Sequence, residues 1–149
     1  MTPLVLDTNI VLDVFVFADE AALPLKEELL AGRLRWLATA AMRDELERVL
    51  AYPQIVPRLA FRGLAAADVM AAFDRHVTPV DCAPKAPVAC KDPDDQKFID
   101  LAVQEGAMLL SKDAAVLSMR KRMESLGSGA SPSFVIPAEA GIQCFPEVR

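Results

Sequence analysis

Four acidic residues in this 149-residue chain stand where a carboxylate can serve as a metal ligand: Asp7, Glu45, Asp95 and Asp113. Asp7 closes the apolar run at the start of "LVLDTNIVLD", and Asp113 does the same in "LLSKDAAVL". Asp95 lies in "DPDDQKFIDLA", ahead of the stripe Phe98, Ile99, Leu101 and Ala102. The i−3 and i−4 relations place it on the inward face of a helix. Glu45 lies in "RDELERVL", on the flank of the stripe Met42, Leu46, Val49 and Leu50, while Asp44 falls opposite that stripe. Carboxylates gathered in one place repel, and one takes up a proton unless a cation neutralises them. Oxygen ligands without histidine or cysteine select Mg²⁺ or Mn²⁺ rather than zinc. Such ions bridge phosphate oxygens, lower the pKa of bound water and stabilise in-line displacement at phosphorus. The chemistry that suits this set is metal-dependent hydrolysis of a phosphodiester.

Each acid also has a plainer use. Asp7 and Asp113 could be helix N-caps, and Asp95 could complete a capping box with Asp92. Glu45 could be a surface acid balancing Arg48 at i+3. Asn9 could be a turn former or a carbonyl ligand. Repetition favours the shared site: two strand-end acids and one inward helical acid are hard to explain as separate capping accidents. An inward carboxylate is costly unless it is paired or binds a cation.

The elements that must position these groups follow from periodicity. Leu4–Leu6 reads as a short buried strand, with a helical pattern from about Asn9 to Phe17. Glu20–Ala31 reads as a second helix, stopped by Gly32. Leu34–Thr39 is an expected strand leading into a helix over 40–51, with a weaker helix over 54–61. Ala65–His76 is helical and "VTPVD" a strand; "CAPKAPVACKD" is a proline-containing loop. In the next helix Asp92 suits the N-cap, Pro93 the first turn and Gly106 the stop. "AMLLS" is a strand, followed by a helix from about Ala114 to Leu126. Alternating strands and helices predict an α/β sandwich with a mostly parallel central sheet. In such sheets sites form beyond the carboxyl ends of strands, where Asp7 and Asp113 fall.

Composition narrows the classes. The chain is 53% hydrophobic and 25% charged, which predicts a folded domain rather than a disordered segment. No apolar run approaches the roughly 18 residues of a membrane span, so the expectation is a cytoplasmic protein with no membrane partner. Cys82, Cys90 and Cys144 are odd in number and lack CxxC spacing, which implies neither a disulfide framework nor a zinc site. Serine–histidine, cysteine–histidine and histidine–metal chemistry would all have to run through His76, the single histidine. The net charge of −5 argues against a general nucleic-acid binder, unless the acids are concentrated in one cation-neutralised site.

"LVLDTNIVLD", "RDELERVL", "DPDDQKFIDLA" and "LLSKDAAVL" occur in the order and approximate spacing of PIN-domain proteins, and over residues 3 to 126 the chain resembles that family. It is most similar to VapC-like ribonucleases, the bacterial toxin components of toxin–antitoxin pairs. The resemblance implies a parallel sheet of about five strands flanked by helices in three layers, and an acidic Mg²⁺ or Mn²⁺ site that cuts RNA. By position it makes Asp7, Glu45, Asp95 and Asp113 the metal-holding acids, supported by Asn9 and Ser111. Glu47 and Asp94 are the alternatives in neighbouring register. It also implies a homodimer and a cognate antitoxin.

Residues 1–126 would form the nuclease domain and 127–149 a linker and tail, with "SFVIPAEAGIQ" supplying a last strand through Phe134–Ile136. Ile136–Ile142 can be encoded by ATTCCCGCCGAAGCGGGAATC, whose ends are inverted repeats. We hypothesise a repeat element inserted at the end of the gene; a locus without that repeat would rule it out.

Other readings fit less well. A haloacid-dehalogenase-type phosphatase needs a second Asp where this chain has Asn9, and a response-regulator receiver needs an adjacent acidic pair near the N-terminus. The non-enzymatic alternative is an inactive PIN-like RNA- or protein-binding module. Arg33, Arg35, Arg43, Arg48 and the run Arg120–Arg122 could meet RNA phosphates, though solvated faces explain them as well. Trp36 is expected in the core, with base stacking the other option.

Overall fold

Burial on both faces decides the first strand. Leu4, Val5 and Leu6 are all buried, and an unbroken apolar run is what the middle of a covered parallel sheet requires. In the computed structural model, which describes residues 2–18, 20–84, 93–111 and 135–137, this run is β1, Thr2–Leu6. β2 (Leu34–Ala38) lies parallel to β1 on one side, and β3 (Val77–Pro79) lies parallel to β2. β4 (Met108–Ser111) lies parallel to β1 on its other side, and β5 (Val135–Pro137) borders β4. The sheet order is β3-β2-β1-β4-β5, with every pair parallel.

This order creates the site. The chain runs outward from β1 through β2 to β3, then returns to the opposite side of β1 with β4. Where strand order reverses, connections leave in opposite directions and open a crevice at the carboxyl ends. Asp7 follows β1, and Ser111 is the last residue of β4. The backbone amide of Asp7 donates to the carbonyl of Leu110 at 3.2 Å, extending the strand pairing to the crevice's edge.

The α-helices of the described residues are α1 (Thr8–Phe15), α2 (Leu23–Leu30), α3 (Ala40–Leu50), α4 (Val56–Phe61), α5 (Ala66–His76) and α6 (Gln96–Glu105). α2 packs on β2, α5 on β3, and α6 on both β1 and β4. The helix expected over 20–31 divides. Glu20–Ala22 is a 3₁₀ turn, and the α-helix starts with Pro24 in its first turn, where a missing N–H costs nothing. Pro93–Asp95 is likewise a 3₁₀ turn leading into α6, so Asp95 stands just before the α-helix rather than inside it. Gly106 ends α6 at φ +59°, a left-handed conformation that glycine adopts without a Cβ penalty.

In α3, Met42, Leu46 and Leu50 repeat every four residues and are buried. Thr39 caps this helix, its hydroxyl oxygen accepting the Met42 N–H at 3.4 Å. Trp36 is 1% exposed, stacked on Phe15 with centroids 6.0 Å apart and met edge-on by Phe73 at 5.0 Å. It is core, and the base-stacking option falls away.

Asp92, Asp113, the helix expected from Ala114 to Leu126, the basic run 120–122 and the tail beyond 137 lie outside the described residues. Among the described residues no helix is long and apolar enough to cross a membrane.

Candidate acidic site

Asp7 occupies the N-cap of α1, and the residue is 3% exposed. A carboxylate is stable at such a place only with donors around it. The backbone N–H of Asn9 donates to Asp7 Oδ1 at 2.7 Å, and the buried hydroxyl of Ser111 donates to Oδ2 at 2.5 Å. The amino end of α1 adds a favourable field for negative charge. Capping and site-building thus fall on the same side chain.

Glu45 reaches the same place from α3. Its Oε2 accepts a hydrogen bond from the hydroxyl of Thr8, the residue after Asp7, and its Oε1 accepts from the Lys97 ammonium. The Lys97 and Glu45 side chains are only 22% and 15% exposed, so this ion pair is weakly screened. Glu45 therefore does not have the solvated environment of a surface acid. Glu47, its neighbour in register, is exposed. Asp95, at the end of its 3₁₀ turn, contributes a buried Oδ2.

Asp7, Glu45 and Asp95 line one cavity of about 300 Å³ together with Thr8 and Asn9. Its remaining wall comes from Leu12 of α1, Phe17 just after it, Val49 of α3, and Tyr52, Gln54 and Ile55 from the turn after α3. One end is thus carboxylate-rich and the other largely apolar. Asp113 lies outside the described residues.

The three carboxylates offer only oxygen, and among the described residues neither histidine nor cysteine lines the cavity, a donor set that suits a hard dication. Among the described residues no three His, Cys, Asp or Glu side chains stand together closely enough to hold a metal ion. Lys97 supplies a positive charge within this acidic cluster.

Two residues escaped the reading of the sequence. Thr8 lies inside the quoted motif, but only the approach of α3 to α1 gives its hydroxyl a partner. Lys97 follows Asp95 by two positions, a spacing that carries no helical-face signal, and it reaches Glu45 from a different element. Arg43, a candidate for phosphate contact, is instead paired with Asp74, joining α3 to α5 at 2.8 and 2.9 Å. Hydrogen bonding from Arg43, aided by its charge, holds the Asp74 carboxyl below the ordinary carboxylate value.

Comparison with known proteins adds three findings. The sequence model of the PIN domain matches residues 3–115. No curated protein sequence matches the chain. Among solved structures, VapBC2 from Rickettsia felis, bound to a DNA fragment from its promoter, has a similar fold at 12% identity, with a TM-score of 0.54 over 82% of this chain and 93% of that one. A PilT N-terminus domain protein from Sulfolobus solfataricus aligns at 17% identity and a TM-score of 0.48 over 93% and 88% of the two chains.

Proposed function

The chain belongs to the PIN-domain family, and from that premise we propose that it is a Mg²⁺- or Mn²⁺-dependent endoribonuclease and the toxin of a toxin–antitoxin pair. Members of this family are generally nucleases that use divalent ions. The observation that carries the reading is the meeting of Asp7, Glu45 and Asp95 on one cavity at the strand-order reversal. Asp113, next along from Ser111 and Lys112, is proposed as the fourth acid. A divalent ion held by these acids would polarise the phosphate and lower the pKa of the attacking water.

The chain's own residues do the positioning. Ser111 and the Asn9 amide hold both oxygens of Asp7 in fixed directions. Thr8 ties the Glu45 carboxylate to the start of α1, so the acid of α3 and the acid at the end of β1 share a frame. Asp95 faces the same cavity and is proposed to orient the water, whose oxygen joins phosphorus as the bond to the leaving ribose oxygen breaks. Residues 1–126 are proposed as the catalytic unit and 127–149 as a tail. A cytoplasmic location, a homodimer and an antitoxin encoded beside this gene complete the proposal, the last by analogy with VapBC2 on its promoter DNA.

A second reading has one observation in its favour. Lys97 already pairs with Glu45, as it would in a PIN-like module that binds RNA or protein without cleaving.

The test is cleavage of a single-stranded RNA panel with and without Mn²⁺. Asp7→Asn and Asp95→Asn should each abolish metal-dependent cleavage while keeping a cooperative melt. Undiminished cleavage in both variants would overturn the nuclease reading, and stabilisation by Mn²⁺ without any cleavage would favour the binding module.

A further inference from the structure

The cavity has two chemically different ends, and only the acidic one is used by hydrolysis. The other is walled by Phe17, Val49, Tyr52 and Ile55, with the exposed Gln54 beside them. Tyr52 leaves 42% of its surface exposed, so part of its ring is open to a ligand. The Arg58 guanidinium stands 4.2 Å from the centroid of the Phe17 ring, placing a cation beside this wall in a chain of net charge −5.

Aromatic and aliphatic walls, an amide that both donates and accepts, and a neighbouring guanidinium match one kind of ligand. It is flat, has a hydrogen-bonding edge, and is attached to a phosphate. Single-stranded RNA is recognised in this way, by bases stacked on aromatic rings and hydrogen-bonded at their edges. About 300 Å³ is at the lower end of the range for small-ligand pockets, roughly 300–1,000 Å³, enough for one nucleotide and too little for a duplex.

We propose that the end of the cavity formed by Phe17, Tyr52 and Gln54 binds one unstacked nucleobase of the RNA, next to the phosphate held at the acidic end. Tyr52 and Phe17 supply the apolar surface, and Gln54 reads the base edge. Arg58 offsets the repulsion between the acidic cavity and the polyanion. The enzyme then selects single-stranded RNA because a paired base cannot enter. This inference rests on the nuclease reading for the phosphate's place, and not for the base's.

Tyr52 is the only tyrosine in the chain, so the full-length protein carrying 3-fluorotyrosine gives a single ¹⁹F resonance from this end of the cavity. It is titrated with the four nucleoside 5′-monophosphates and with a short single-stranded RNA. A saturable shift with the RNA and with at least one nucleotide is expected, and it should persist in Asp95→Asn. Gln54→Ala should raise KM for the favoured RNA roughly ten-fold with kcat little changed. A resonance unmoved by every nucleotide and by the RNA, in protein that still cleaves RNA, overturns the base site and leaves the nuclease reading standing. A shift in protein that never cleaves RNA keeps the base site and removes the nuclease.

Discussion

The Ser111 hydroxyl donates to the Asp7 carboxylate at 2.5 Å, joining residues 104 positions apart at the ends of two adjacent strands. The bond is buried, and it spans the two strand ends where strand order reverses. Replacing Ser111 with Ala removes a donor from a carboxylate in a dry place, at an expected loss of about 1–3 kcal/mol. Ser111→Thr keeps the hydroxyl and should recover most of that loss. Urea unfolding of the two variants measures it, and equal stabilities would mean that the bond contributes little.

Lys97 and Glu45 form the partly buried ion pair of the site. In Lys97→Met the acidic cluster loses a positive charge, so Mn²⁺ should bind more tightly, because Coulombic attraction for the cluster increases. Stability without Mn²⁺ should fall by about 1–2 kcal/mol, less than for a fully buried pair. Calorimetric titration with Mn²⁺ gives the first quantity and thermal melts the second. Weaker Mn²⁺ binding in Lys97→Met would instead make Lys97 an organiser of Glu45 rather than its competing cation.

Trp36 is the single tryptophan and is enclosed by Phe15 and Phe73. Its emission should be blue-shifted, resistant to acrylamide and insensitive to added RNA. Trp36→Ala should cost about 3–5 kcal/mol through the cavity it leaves. RNA-dependent quenching of this emission would contradict its place in the core.

Arg43 and Asp74 tie α3, which carries Glu45, to α5. Because Arg43 lowers the folded carboxyl's pKa, the pair's contribution is complete above the unfolded value, about 3.9. It is lost as pH falls through the lower folded value. Asp74→Asn should therefore melt slightly below the wild-type protein near neutrality, with the gap narrowing in acid. A gap independent of pH would trace to packing and not to charge.

Much of the fold was legible because its signals are local. The unbroken apolar run Leu4–Leu6, the stripe of α6 and the stop at Gly106 each follow from residues within a few positions of one another. The division of the second helix near Pro24 is also local, but periodicity does not show it, since a 3₁₀ turn and the first turn of an α-helix share much of their composition. The cavity's apolar end was not legible: Phe17, Tyr52 and Gln54 carry no motif, and the turn after α3 brings them beside the acids.

The sequence by itself determined which side chains could do the chemistry, because a carboxylate after a buried strand or on an inward helix face must find donors or a cation. Tertiary structure decided which of them meet, and with what. Sheet order set β4 beside β1 and gave Asp7 its Ser111, and the approach of α3 to α1 and to α6 gave Glu45 both Thr8 and Lys97. Those partners come from separate elements, and hydrogen bonds between elements depend on packing that no local periodicity encodes.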